Sequence, residues 1–313
     1  MSSARVTTVL GEISAEQLGV VLPHEHACCY FEYFYTMLGN EYLDKDALCE
    51  RTVEHLTEAK EKFGLSAVVD CTPVNIGRDL ELLRKISRAS GVHIVAASGF
   101  YYTEEEMLSA LSEESIAETV AKDIEKNGVG VIKFAVERPE MSELSQKLLS
   151  ALCTVQRKTS LPLIVYTNAK NQNGRSILPF VLERGVSPSA VTIGHLSDTS
   201  DMDYVTELLK HGCYVGFDRI YKSSRPVYYE QKARDILTLC ERGYADQLLL
   251  SHDGLTFNGF RADAHLREDN PYAPIFERLL PAMRELGFTD AELQKLMIEN
   301  PKNMLLCKGG SYV

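Results

Sequence analysis

"VVLPHEHACC", residues 20–29, runs a short apolar stretch into Pro23, His24, Glu25 and His26. Side chains on an extended chain alternate between faces, so His24 and His26 point the same way. Two same-face imidazoles closing a buried apolar run read either as metal ligands or as a hydrogen-bonded loop pair. What closes the other apolar runs decides between these readings, and it decides the fold as well.

Seven more such runs follow: "SAVVDCT" (66–72), "VHIVAASGF" (92–100), "GVGVIKFAV" (128–136), "LPLIVYT" (161–167), "AVTIGH" (190–195), "CYVGFD" (213–218) and "QLLLSHD" (247–253). Their starts, with that of the first run, lie 23 to 46 residues apart. Near-continuous apolar runs suit parallel strands buried on both faces. Helical patterns fill the gaps. Leu144, Leu148, Leu152 and Val155 mark one helix face, Gly212 stops a helix before the next strand, and Thr289 with Glu292 forms a capping box opening a helix through Leu296.

Eight strand-then-helix units fit either a doubly wound sheet or a (β/α)8 barrel. In a barrel, active-site groups sit at the C-terminal ends of several different strands. Here His24 and His26 follow the first strand, Lys133 lies in the fourth, His195 closes the sixth and Asp253 closes the eighth. The expectation is therefore an α/β protein, a (β/α)8 TIM barrel with a short N-terminal β-hairpin in "VTTVLGEISAEQLG" (6–19) over its floor. A single domain spans residues 1–313, with no linker or low-complexity tract.

Composition narrows the function. The 313 residues are 45% hydrophobic and 25% charged, ordinary for a folded soluble chain. A net charge of −11 argues against nucleic-acid and anionic-membrane partners. No run reaches the ~18 apolar residues of a membrane span, and the N-terminus lacks a signal-peptide pattern. Of the eight cysteines, Cys49, Cys71, Cys153, Cys213, Cys240 and Cys307 are scattered through apolar segments and read as reduced core residues of a cytoplasmic protein, while the adjacent Cys28 and Cys29 lack the CxxC partner pair of a zinc knuckle.

Individually the polar residues have plain explanations. Lys133 shares a face with Val129, Val131 and Ala135, and either snorkels to an acid or has reacted with carbon dioxide to give an anionic carbamate ligand. His195 alone reads as a core histidine, and Asp253 alone as a loop cap. Five such residues at the mouths of four strands are hard to explain as independent caps. Together they supply nitrogen and oxygen ligands for one or two divalent ions.

The ordered landmarks "PHEH" (23–26), "GRD" (77–79), "IK" (132–133), "IGH" (193–195), "FDRI" (217–220), "SHD" (251–253) and "ENP" (299–301) resemble the phosphotriesterase-like branch of the amidohydrolase superfamily. The resemblance covers essentially the whole chain. It implies a binuclear metal barrel in which His24, His26 and Asp253 hold a buried ion, carboxylated Lys133 bridges to an outer ion, and His195 binds that outer ion. Zinc is the first expectation, with manganese, cobalt or iron as alternatives. The family usually places a second histidine for the outer ion at the end of the fifth strand, where this chain has Tyr166. Either Tyr166 binds as phenolate, or the outer site is weak, or the enzyme uses one ion. The resemblance also suggests a homodimer.

The implied chemistry is hydrolysis of an ester-like bond by a metal-bound hydroxide, with Asp253 taking the water's proton and passing it to the leaving group. Arg219, Lys222 and Arg225 follow the seventh strand and Arg261 follows the eighth, so they line the mouth where barrels often bind anions. They read either as an anion site or as surface charge paired with Asp218 and Asp263. Tyr101 and Tyr102 are either substrate hydrogen-bond donors or rim aromatics. The family includes lactonases, phosphotriesterases and amide hydrolases, and the absence of tryptophan tilts the substrate toward a small lactone, anionic or phosphorylated. The alternatives are a phosphoester, phosphotriester or N-acyl amide hydrolase on the same site, or a decayed barrel that only binds a ligand.

Overall fold

Parallel strands carry the architecture: β3 (Val20–Cys29), β4 (Leu65–Asp70), β5 (His93–Phe100), β6 (Val131–Val136), β7 (Leu163–Thr167), β8 (Val191–Gly194), β9 (Tyr214–Phe217) and β10 (Leu248–Leu250). They are preceded by the antiparallel hairpin of β1 (Arg5–Thr8) and β2 (Gly11–Ser14), and followed by β11 (Leu255–Asn258). A computed structural model describes residues 4–103, 106–221, 223 and 225–307. The sheet order is β10-β9-β8-β7-β6-β5-β4-β3-β11, every neighbour parallel. This is the (β/α)8 barrel with its N-terminal hairpin.

Period-two burial explains the closure. Val21, Ala67, Val69, Val95, Ala97, Val131, Ile164 and Leu249 pack together inside the barrel. Their sequence neighbours Leu22, Val68, Ile94, Ala96, Ile132, Leu163 and Val165 face the helices. Each fully buried valine or leucine contributes about 1.5–3 kcal/mol against an exposed one. Val6 of the hairpin, Ala15, Leu18, Met304 and Leu305 join the interior cluster, so both ends of the described chain plug the barrel floor.

Two expected strands differ in extent. The first continues through both histidines to Cys29, so the imidazoles sit within β3 and not after it. The last breaks after Leu250 and resumes as β11, which pairs with β3. In the break, Asp253 N–H donates to His24 O (3.0 Å) and His26 N–H donates to Gly254 O (2.9 Å), sealing the barrel. Asp253 there takes a left-handed φ of +53°, which ends the regular ladder.

The helices α1 (Glu32–Leu38), α2 (Lys45–Phe63), α3 (Leu80–Ser90), α4 (Glu113–Asn127), α5 (Glu143–Thr159), α6 (Gly174–Glu183), α7 (Met202–Leu209) and α8 (Pro226–Glu241) alternate with the strands. In α5, Leu148, Leu152 and Val155 are buried as their spacing requires. The capping box of Thr289 and Glu292 forms, but its helix runs past Leu296, through a wide turn at Lys295–Glu299, to Leu305. Arg78 binds Asp123 of α4 through two N–H···O contacts of 2.7 Å and donates to Ala97 O at 3.1 Å, tying α4 to β5. Among the described residues all cysteines are free, and no helix is long and apolar enough to cross a membrane.

Candidate metal-binding active site

Alternation along β3 sends His24 and His26 into the barrel mouth and Glu25 to the other side. His26 Nε2 lies 3.0 Å from Asp253 Oδ1, and His24 Nε2 lies 3.7 Å from the same oxygen. His195 Nε2 is 3.7 Å from Asp253 Oδ2, and its ring stacks on that of His24 at 4.9 Å. Lys133 Nζ sits 2.9 Å from His24 Nε2. The structure thus gathers His24, His26, Lys133, His195 and Asp253 at one end of the barrel. They line a cavity of about 540 Å³.

A layer of oxygens behind the imidazoles sets which nitrogen faces the cavity. Asp218, 2% exposed, places one carboxylate oxygen 2.5 Å from His24 Nδ1 and the other 2.8 Å from His195 Nδ1. Thr72 Oγ1 donates to Cys28 O and so accepts from His26 Nδ1–H at 2.8 Å. With each Nδ1 proton held behind the ring, each Nε2 can offer a lone pair toward the cavity. Burial, then the Lys133 charge, lowers His24 to about 3, so its ring is neutral. Burial would push the Asp218 carboxyl up, but the two imidazoles outweigh it and hold Asp218 well below the carboxylate range.

Glu25 fixes the loop that carries Asp253. Its Oε1 accepts from Ser251 Oγ (2.7 Å), His252 N (2.9 Å) and His252 Nδ1 (2.8 Å), and its Oε2 accepts from Gly254 N (2.8 Å). The room for Asp218 comes from glycine. A Cβ on Gly194 would lie 2.9 Å from Asp218 Oδ2, and one on Gly216 would lie 2.7 Å from it. His195 joins Asp253 in the left-handed region, at φ +66°. Such conformations carry strain and gather where side-chain aim matters.

His24, His26 and Asp253 converge as one candidate ligand group, and His24, His195 and Asp218 as another. In the second, Asp218 already occupies the Nδ1 side of both rings, so it orients ligands and does not add one. Three cavity-facing imidazole nitrogens around an ionised carboxylate fit a divalent cation such as zinc. The phosphotriesterase family model matches residues 4–305.

The chain belongs to the phosphotriesterase family. It is therefore a metal-dependent hydrolase. Relatives include a phosphotriesterase homology protein of Mycobacterium tuberculosis, 26% identical and covering 97% of this chain and 98% of that one. The aryldialkylphosphatase of Saccharolobus solfataricus is 27% identical, covering 93% and 96%. The N-acetyltaurine hydrolase of Homo sapiens is 26% identical, covering 98% and 99%.

Against this family frame, the expected substrate residues divide. Tyr101 and Arg261 line the cavity. Arg219 lines it too, but is already engaged: Nε donates to Asp253 Oδ2 (3.1 Å) and a terminal nitrogen to Asp198 Oδ2 (2.7 Å). Arg225 does not reach the lining, and Lys222 lies outside the described residues. Arg261 does pair with Asp263 at 3.2 Å, whereas Asp218 faces histidines and not the arginines expected for it. Tyr166 stands edge-on to His195 at 4.4 Å, and its hydroxyl donates to Glu137. Burial, then Glu137, pushes the phenol up from its ordinary value, so it stays protonated.

Sequence reasoning missed Asp218, Glu25 and Thr72 as positioning residues, and Arg267 as a cavity-lining cation. Asp218 had one usable signal: like Asp253, it closes an apolar run, in "VGFD".

Proposed function

We propose that this hydrolase is a lactonase for a small anionic or phosphorylated lactone. The supporting observation is a single cavity in which Arg261 and Arg267 line the same space as the His–Asp cluster and Tyr101. Cations beside a hydrolytic centre favour a substrate bearing a carboxylate or phosphate away from the scissile bond. A chain without tryptophan has fewer aromatic walls for a bulky aryl leaving group.

A divalent ion, zinc from the donor set, would be held by His24, His26 and Asp253, with His195 Nε2 facing the other oxygen of Asp253, and would supply Lewis acidity and an acidified water. The remaining work falls to the chain. Asp253 accepts the proton of the attacking water and returns it to the ring oxygen as the acyl C–O bond breaks, giving a hydroxy acid. Arg219, bound to both Asp253 and Asp198, holds the Asp253 carboxylate in its orientation. Lys133 enters this reading carboxylated: its ammonium would otherwise occupy the His24 lone pair that an ion needs.

A second reading, an N-acyl amide hydrolase with an anionic substrate, uses the same cations and is favoured by the N-acetyltaurine hydrolase relatives. Turnover of phosphorylated lactones, neutral lactones, aryl phosphotriesters and anionic N-acyl amides by metal-loaded enzyme separates the readings. The highest kcat/KM should fall on an anionic lactone. A higher value on an amide or a phosphotriester would overturn the lactonase reading.

A further inference from the structure

We infer that this chain holds one metal ion tightly and not two, because Tyr166, the ring beside His195, is hydrogen-bonded to Glu137 and offers no strong ligand there. The inference rests on the metal-hydrolase reading and concerns how many ions that site retains.

Tyr166 lies near the end of β7, directly beside β8 and its His195. Its ring presents an edge to the imidazole at an interplanar angle of 67°. Among the described residues His195 meets two rings, His24 stacked on it and Tyr166 at a steep angle to it. The Tyr166 hydroxyl is turned to the Glu137 carboxylate, just beyond β6. Glu137 is fixed in turn: its other oxygen accepts from Asn168 Nδ2 at 2.8 Å, and its backbone oxygen accepts from Asn171 Nδ2 at 3.3 Å. Asn168 is anchored by the bond from its own N–H to Asn173 Oδ1 (2.9 Å). The phenol is thus the donor in a locked polar chain, and Glu137 joins neither of the converging ligand groups.

Donor counting then separates the two positions. An ion at His24, His26 and Asp253 has three protein donors, the number that catalytic zinc sites use alongside water. An ion on the His195 side has one unshared donor, His195 Nε2, and must share Asp253 and Lys133 with the first. The second position lacks the ligands to compete with bulk water.

The test is metal content and not turnover. Wild-type protein, Tyr166→Phe and Tyr166→His are loaded with excess zinc and dialysed against a zinc-buffering chelator. Metal per chain is then read by atomic emission, with near-ultraviolet circular dichroism reporting that each variant is folded. Wild type and Tyr166→Phe should retain one ion with unchanged affinity, and Tyr166→His should retain two. Two ions on wild type, or an ion lost or loosened tenfold in Tyr166→Phe, would overturn the inference. So would a folded Tyr166→His that keeps only one ion, since the phenol would then not be what limits the site. No ion on wild type would bring down the metal-hydrolase reading itself along with this inference.

Discussion

Asp218 grips His195 twice, accepting from its backbone N–H at 2.6 Å and from its Nδ1 at 2.8 Å. The grip holds a left-handed residue in place and fixes its tautomer, while the second carboxylate oxygen does the same for the His24 ring. One buried carboxylate thereby aims two candidate ligands.

Replacing Asp218 by Asn offers one imidazole an N–H in place of an acceptor, so one ring must turn or change tautomer. Zinc affinity should fall roughly 10–100-fold, the usual cost of losing a partner behind a metal ligand. Competition with a chromophoric chelator measures it. An unchanged affinity in the folded variant would mean that Asp218 does not position the ligands.

Lys133 is 2% exposed, and among the described residues its Nζ faces His24 Nε2 with no carboxylate partner. Carboxylation, proposed above, would remove that buried positive charge and free the His24 lone pair. Metal loading in ¹³C-bicarbonate should therefore place label on Lys133, detectable as a carbamate carbon by NMR. Loading should also be slow in carbon dioxide-free buffer. Full metal occupancy with no label on the lysine would sink the idea.

Arg261 is exposed and shares its charge with Asp263. Its contribution to an anionic substrate should therefore be that of a surface ion pair, at most ~1 kcal/mol, or about fivefold in KM. Arg261→Ala should raise KM about that much for phosphorylated lactones and leave neutral lactones unchanged. Equal effects on both would show that Arg261 does not read the anion.

The Arg78–Asp123 pair sets an acid limit on stability. Burial would raise the Asp123 carboxyl, but hydrogen bonds from Arg78 and Ser98 outweigh it, so Asp123 titrates below its ordinary value in the fold. Its stabilisation is complete above the unfolded carboxyl pKa of about 3.9 and is lost as pH falls through the lower folded value. Urea unfolding of wild type should show this loss below about pH 4. Asp123→Asn should be less stable at pH 7 by roughly 3 kcal/mol, because Arg78 is left without its partner, and should show a flatter acid limb. Parallel pH curves for the two proteins would show that the pair does not control the acid limit.

The barrel and the five clustered residues were legible in the chain because each rests on local pattern. Period-two burial follows from a residue and its immediate neighbours. A polar group closing an apolar run, as at His195 or Asp253, marks a strand end that a barrel gathers at one mouth. The anion-reading cations were half legible: loop position brought Arg261 to the cavity, but nothing local shows that Arg219 is taken up by Asp253 and Asp198.

What only the tertiary structure decided are pairings between residues far apart in sequence. His24 meets Asp218 across 194 positions, and His252 meets Glu25 across 227. Such contacts depend on strand register and on closure of β11 against β3, and a one-residue slip would turn each side chain to the other face. The same holds for Tyr166. Its identity and its strand could be read from the chain, but the bond of its hydroxyl to Glu137 exists only once β6, β7 and β8 lie side by side.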